Sequence, residues 1–126
     1  MKKIHLLLVE DNILNQKLIK LNLSRYGFEI DIACNGLVAV EKYIKQSYDI
    51  IIMDIMMPEM DGYEATQKIR KIEEQSKKRT PIVGLTANTY DSEKERSLQA
   101  GMDYFMTKPF DFDLFKQILD SLGLSN

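Results

Sequence analysis

The chain has 126 residues, 44% of them hydrophobic, a formal net charge of −2, and a single cysteine. A chain of this length suits one domain spanning residues 1–126, burying roughly two-thirds of the surface that its unfolded form exposes. The mixed charge gives no basis for direct binding of nucleic acid or an anionic membrane. The lone Cys34 excludes an internal disulfide and a multi-thiolate metal site, and reads as a small, half-buried residue at a strand end.

No apolar run approaches the ~20 residues of a membrane span. The apolar stretch Ile4–Val9 runs into Glu10-Asp11-Asn12 with no small-residue cleavage site, so it reads as a strand buried on both faces, in a cytoplasmic protein. From Asn12 to Tyr26, Leu14, Leu18, Leu21 and Arg25 recur at helical spacing, with Gly27 as the C-cap. Phe28, Ile30 and Ile32 alternate with Glu29 and Asp31, the pattern of a strand nearer the sheet edge. After Asn35-Gly36, the residues Ala39, Val40, Tyr43 and Ile44 predict a second helix, and Ile50–Met53 a buried strand ending at Asp54.

A turn containing Met and Pro leads to a helix over about 63–74. The polar connector Lys77-Lys78-Arg79-Thr80 precedes a fourth strand, Pro81–Leu85. Ser92 and Glu95 have the spacing of a capping box opening a helix that Gly101 closes. Tyr104–Thr107 is a short fifth strand, and Asp111 caps a last helix bearing Phe112, Phe115, Ile118, Leu119 and Leu122. Five strand–helix units with buried strands imply an α/β doubly wound parallel sheet of order 2-1-3-4-5, the flavodoxin-like arrangement, with helices on both faces.

In such a sheet, ligands collect beyond the carboxyl ends of the strands, where the strand order reverses. The first strand ends in Glu10-Asp11, the third in Asp54, the fourth in Thr86 and the fifth in Lys108. Crowded carboxylates repel one another, and hard oxygen donors without His or Cys favour magnesium. Lys108 supplies a point charge for a phosphate oxygen and Thr86 a hydroxyl, a set suited to phosphoryl transfer onto a carboxylate. Each residue alone has a plainer reading: an acidic pair favours a helix N-terminus, and an Asp at a strand end caps a turn. One such residue after each of four strands is much harder to obtain by accident.

These residues sit in the segments Leu8–Asn12, Met53–Gly62, Leu85-Thr86-Ala87 and Ala100–Asp103 through Lys108-Pro109-Phe110. Over essentially its whole length the chain resembles the receiver domain of two-component response regulators. The resemblance implies that Asp54 accepts a phosphoryl group as an acyl phosphate. It implies that Asp11 and Asp54 hold Mg2+ directly, Glu10 through water, and the Met56 backbone carbonyl as a further ligand. Thr86 and Lys108 would bind the phosphoryl oxygens, with the Lys108–Pro109 peptide cis and aiming the ammonium. Thr86 and Phe105 would form the switch, reshaping the face of the fourth helix, fifth strand and fifth helix for a downstream protein, with Tyr104 pointing to the other side of its strand. For Phe105 an ordinary core role is an equal reading.

The run Glu10–Gln16 is similar to receivers of hybrid kinases and phosphorelays, which implies a histidine kinase or histidine phosphotransfer domain as phosphodonor. Asn12, Ile13, Asn15 and Pro109 are then candidates for docking it. His5, inside a strand, reads as a satisfied histidine and not a donor. In the family, the side chains two positions after the acceptor and after the Thr gate hydrolytic water. Met56 and Asn88 stand there, and apolar Met56 implies slow self-dephosphorylation.

Three other readings meet obstacles. An aspartate phosphatase calls for an acid where Met56 stands. A flavin site calls for a phosphate loop where Glu10-Asp11 would repel it. A receiver-like partner binder without phosphorylation leaves the acidic, Thr and Lys set unexplained. The expected protein is therefore a signalling switch that catalyses its own phosphorylation and dephosphorylation and has no turnover substrate.

Overall fold

A computed structural model describes residues 3–87 and 91–124. Strands β1 (His5–Val9), β2 (Glu29–Ala33), β3 (Ile50–Asp54), β4 (Ile82–Thr86) and β5 (Tyr104–Thr107) alternate with helices α1 (Ile13–Ser24), α2 (Gly36–Lys45), α3 (Gly62–Ser76), α4 (Asp91–Ala100) and α5 (Phe112–Ser121). All four strand pairings are parallel and the order is β2-β1-β3-β4-β5, as the sequence predicts.

The period-two geometry of a strand sends successive side chains to opposite faces. Leu7, Val9, Ile51 and Met53 therefore pack with Ala39 of α2 and Tyr63, Ala65 and Ile69 of α3. Leu6, Leu8, Ile50 and Ile52 pack with Ile19 and Leu23 of α1 and with Phe115, Ile118 and Leu119 of α5. Both faces are covered, which is why the central strands read as unbroken apolar runs. The edge strand β2 keeps its alternation, with Ile30 and Ile32 against the α1–α5 core.

Helix starts follow the expected side-chain chemistry. Asn12, Asn35, Asp61 and Asp111 each accept a hydrogen bond from the backbone N–H three residues on. Three readings differ from the structure. In α1 the residues that face the core are Ile19 and Leu23, while Leu14, Leu18 and Leu21 are exposed. The helix is apolar around much of its circumference, so spacing alone does not choose its inner face. In α4 the helix already includes Asp91, which puts Ser92 inside the first turn and not at the cap. Cys34 lies one residue beyond β2 and is exposed, not half-buried, because the ladder ends at Ala33.

Candidate functional site

Parallel strands deliver their carboxyl ends to one edge, and there the residues predicted from sequence meet. Glu10 and Asp11 follow β1, Asp54 ends β3, Thr86 ends β4, and Lys108 follows β5. One carboxylate oxygen each from Glu10, Asp11 and Asp54 lies within 4.8 Å of the other two. The Lys108 Nζ stands 3.0 Å from Asp54 Oδ1 and 3.7 Å from Glu10 Oε1.

Glu10 and Asp54 are each 1% exposed, whereas Asp11 faces solvent. Apart from the Lys108 ammonium, Glu10 Oε1 and both Asp54 oxygens have no hydrogen-bond partner among the described residues. Buried polar atoms are ordinarily partnered, and unpaired carboxylate oxygens carry a large desolvation cost. Burial, and then the neighbouring Asp54 carboxylate, push the Glu10 pKa up to about 7. Burial works against the Lys108 ammonium, but Asp54, Glu10 and Asp11 outweigh it, and its pKa lies above that of free lysine. Three converging oxygen donors with excess negative charge and no His or Cys suit a hard divalent cation.

The loop after Asp54 is held close beneath the site. The Ile55 N–H donates to Leu85 O at 2.9–3.0 Å, as does the Gly62 N–H to Ile55 O, so the chain doubles back and α3 starts against the strand end. A Cβ at position 62 would collide with the Asp54 carbonyl oxygen, which is why glycine stands there. Met56, two residues past Asp54, is 73% exposed. Asn88 lies outside the described residues.

Thr86 is buried, and its carbonyl accepts the Lys108 N–H at 2.7 Å, joining the ends of β4 and β5. The Lys108–Pro109 peptide is cis. Phe105 is half-buried opposite Gly84 and packs on the α2–α3 side, while Tyr104 packs on the α1–α5 side, as strand geometry predicts.

Of the docking candidates, Asn12, Ile13 and Pro109 are exposed and Asn15 is half-buried. Between α1 and the segment after β5 runs a groove of about 490 Å³, lined by Asn15, Leu18, Asn22, Pro109 and Phe110 and reaching Glu10 and Lys108. Ile13, Leu14, Leu18 and Leu21 add an exposed apolar face to α1. His5 lies at the other end of β1, with its Nε2 3.1 Å from Asp31 Oδ2 and its ring against Tyr48, a satisfied residue remote from the cluster.

Sequence reasoning assigned nothing to Gln16, Gly62 or Arg70. Gly62 was visible in its run, but the near-collision that requires it was not. Arg70 donates to Glu73, Thr80 O, Gly101 O and Asp103, joining segments up to 33 residues apart that no local spacing relates.

The profile of the response regulator receiver domain matches residues 6–120. The sensor protein EvgS of Escherichia coli K12 is 37% identical over 121 residues, covering 96% of this chain and 10% of that protein. Among solved structures, the receiver domain of the Pseudomonas aeruginosa sensor histidine kinase PA1611, with a magnesium ion coordinated in its active-site cleft, superposes with a TM-score of 0.85. It is 39% identical, covering 95% of this chain and 97% of that one. The receiver domain of Saccharomyces cerevisiae Ssk1, solved with the histidine phosphotransfer protein Ypd1, gives 0.85 at 33% identity, covering 94% and 88%. The chain thus spans a small part of a sensor protein such as EvgS and nearly the whole of an isolated receiver, and it belongs to the response-regulator receiver domains of two-component and phosphorelay signalling.

Proposed function

We propose that Asp54 is the phosphoacceptor of this receiver. The observation that carries the reading is a buried carboxylate at a strand end, 3.0 Å from an ammonium and clustered with two further carboxylates. An Asp54 oxygen attacks the phosphorus of a phosphohistidine; the P–N bond breaks, the imidazole leaves, and an acyl phosphate forms. Lys108 keeps its proton and balances charge on the phosphoryl oxygens, and the Thr86 hydroxyl donates to another.

Glu10, Asp11 and Asp54, with the Met56 carbonyl, would hold magnesium, as the unpartnered oxygens and all-oxygen donor set favour. When bound, the cation supplies charge neutralisation for the carboxylates and the incoming phosphoryl group.

The donor is a histidine kinase or histidine phosphotransfer domain, docking on Asn12, Ile13, Asn15 and Pro109 along the apolar face of α1. In this reading the domain works in the cytoplasm together with its phosphohistidine donor. Phosphorylation draws Thr86 inward, Phe105 follows, and the α4–β5–α5 face changes for a downstream protein. Residues 1–126 act as one receiver, a switch that catalyses its own phosphorylation and dephosphorylation.

The test is incubation with magnesium and acetyl phosphate, or with beryllofluoride, followed by intact mass and amide chemical shifts. One added phosphoryl group, or a shift pattern centred on Asp54, is expected in the parent and absent in Asp54→Asn. No response to either reagent would leave a partner-binding module without phosphorylation.

A further inference from the structure

We infer that Gln16 is a positioning residue for divalent-cation binding, an inference that rests on the magnesium reading above. The Glu10 N–H still follows the sheet, donating to Ala33 O at 3.0 Å. The Glu10 carbonyl lies past the end of β1, and it accepts the Gln16 Nε2–H at 2.6 Å. Because the peptide unit is planar, fixing that oxygen fixes the whole Glu10–Asp11 peptide and so the direction in which Asp11 leaves the strand.

Glu10 is held by burial, whereas Asp11 is exposed, so packing constrains its carboxylate less. The hydrogen bond from Gln16 supplies what packing does not. Gln16 is itself anchored in the first turn of α1, its N–H donating to Asn12 O at 3.0 Å. The Asn12 N–H reaches the Glu10 Oε2 at 3.3 Å. One helical turn therefore holds Glu10 by its carbonyl and by one carboxylate oxygen, leaving Oε1 toward Asp54 and Lys108. The amide orientation is unambiguous, since only the nitrogen of Gln16 can donate to a carbonyl.

The test compares the parent chain with Gln16→Ala and Gln16→Met, both good helix formers. Magnesium affinity is measured by calorimetry and manganese binding by electron paramagnetic resonance, with circular dichroism to confirm folding. Loss of one hydrogen bond should weaken magnesium binding about fivefold. With acetyl phosphate as donor, the apparent KM for magnesium should rise by the same factor while the rate at saturating magnesium is unchanged. Folded variants that bind magnesium like the parent would overturn the role of Gln16 and leave the magnesium reading intact. A parent chain that binds no magnesium would overturn both. A purely structural role would lower the Tm of both variants and leave the dissociation constant unmoved.

Discussion

Lys108 Nζ stands 3.0 Å from Asp54 Oδ1, and the same ammonium is 3.7 Å from Glu10 Oε1. One cation thus faces two carboxylates that are almost completely buried, so once Glu10 is ionised the cluster carries net negative charge. That excess makes the edge of the sheet receptive to a divalent cation and costly without one.

Removing the ammonium should expose this cost. In EDTA, Lys108→Met should lower stability by about 2 kcal/mol, less than for a wholly buried pair because Lys108 is partly exposed. Urea denaturation should show the loss shrinking in the double variant Lys108→Met/Asp54→Asn, where one unbalanced charge is gone. Additive effects of the two substitutions would show that the pair is not coupled.

Glu10 gives a pH dependence of unusual sign for a carboxylate. Its folded pKa of about 7 lies above the reference value of 4.5, so the folded chain holds a proton that the unfolded chain releases. The Glu10 contribution to metal-free stability, read as the difference between parent and Glu10→Gln, should be most favourable below that reference value, fall as pH rises, and level off above about 7. Glu10→Gln removes the penalty: denaturation in EDTA should find it more stable than the parent by on the order of 3 kcal/mol at pH 8. The two proteins should converge at low pH. A stability difference between Glu10→Gln and the parent that does not grow with pH across this window would contradict the assignment.

Met56, two residues past Asp54, extends into solvent, and its thioether cannot orient a water for attack on a phosphoryl group. Met56→Asn should shorten the lifetime of the phosphorylated form by on the order of tenfold, the low end of what one polar group contributes to proton-transfer chemistry. Decay is followed by intact mass after removal of acetyl phosphate. An unchanged rate in both Met56→Asn and Met56→Ala would remove Met56 from any role in lifetime.

The exposed face of α1 predicts a separation of donors. Ile13→Asp with Leu14→Asp should slow transfer from a phosphotransfer protein at least tenfold, because two apolar anchors are lost. Phosphorylation by acetyl phosphate, which needs no docking surface, should be unaffected. Equal slowing with both donors would point to damage at the acidic cluster instead.

Arg70 holds the far side of the sheet together through Glu73, Asp103 and the carbonyls of Thr80 and Gly101. Arg70→Ala leaves the largely buried Glu73 and the half-buried Asp103 without that cation, and should cost about 3 kcal/mol. Arg70→Lys should recover little of it, since one ammonium cannot replace a guanidinium that reaches four acceptors. Full stability in Arg70→Lys, measured by urea denaturation, would show that the charge alone suffices.

The chain order of the elements and the residues at the strand ends were readable directly from the sequence. Unbroken apolar runs mark strands covered on both faces, and parallel strands must place Glu10, Asp11, Asp54, Thr86 and Lys108 on one edge. Those are consequences of local pattern and connection rules, which act along the chain. The inner face of α1, the exposure of Cys34, the glycine requirement at position 62 and the contacts of Gln16 and Arg70 were not readable. Each depends on distances between segments far apart in sequence or on which side of a helix meets the sheet. Amino-acid order thus determined which chemical groups arrive at the edge, whereas packing alone decided their spacing, their burial and the surface left open to a partner, because those quantities exist only between elements.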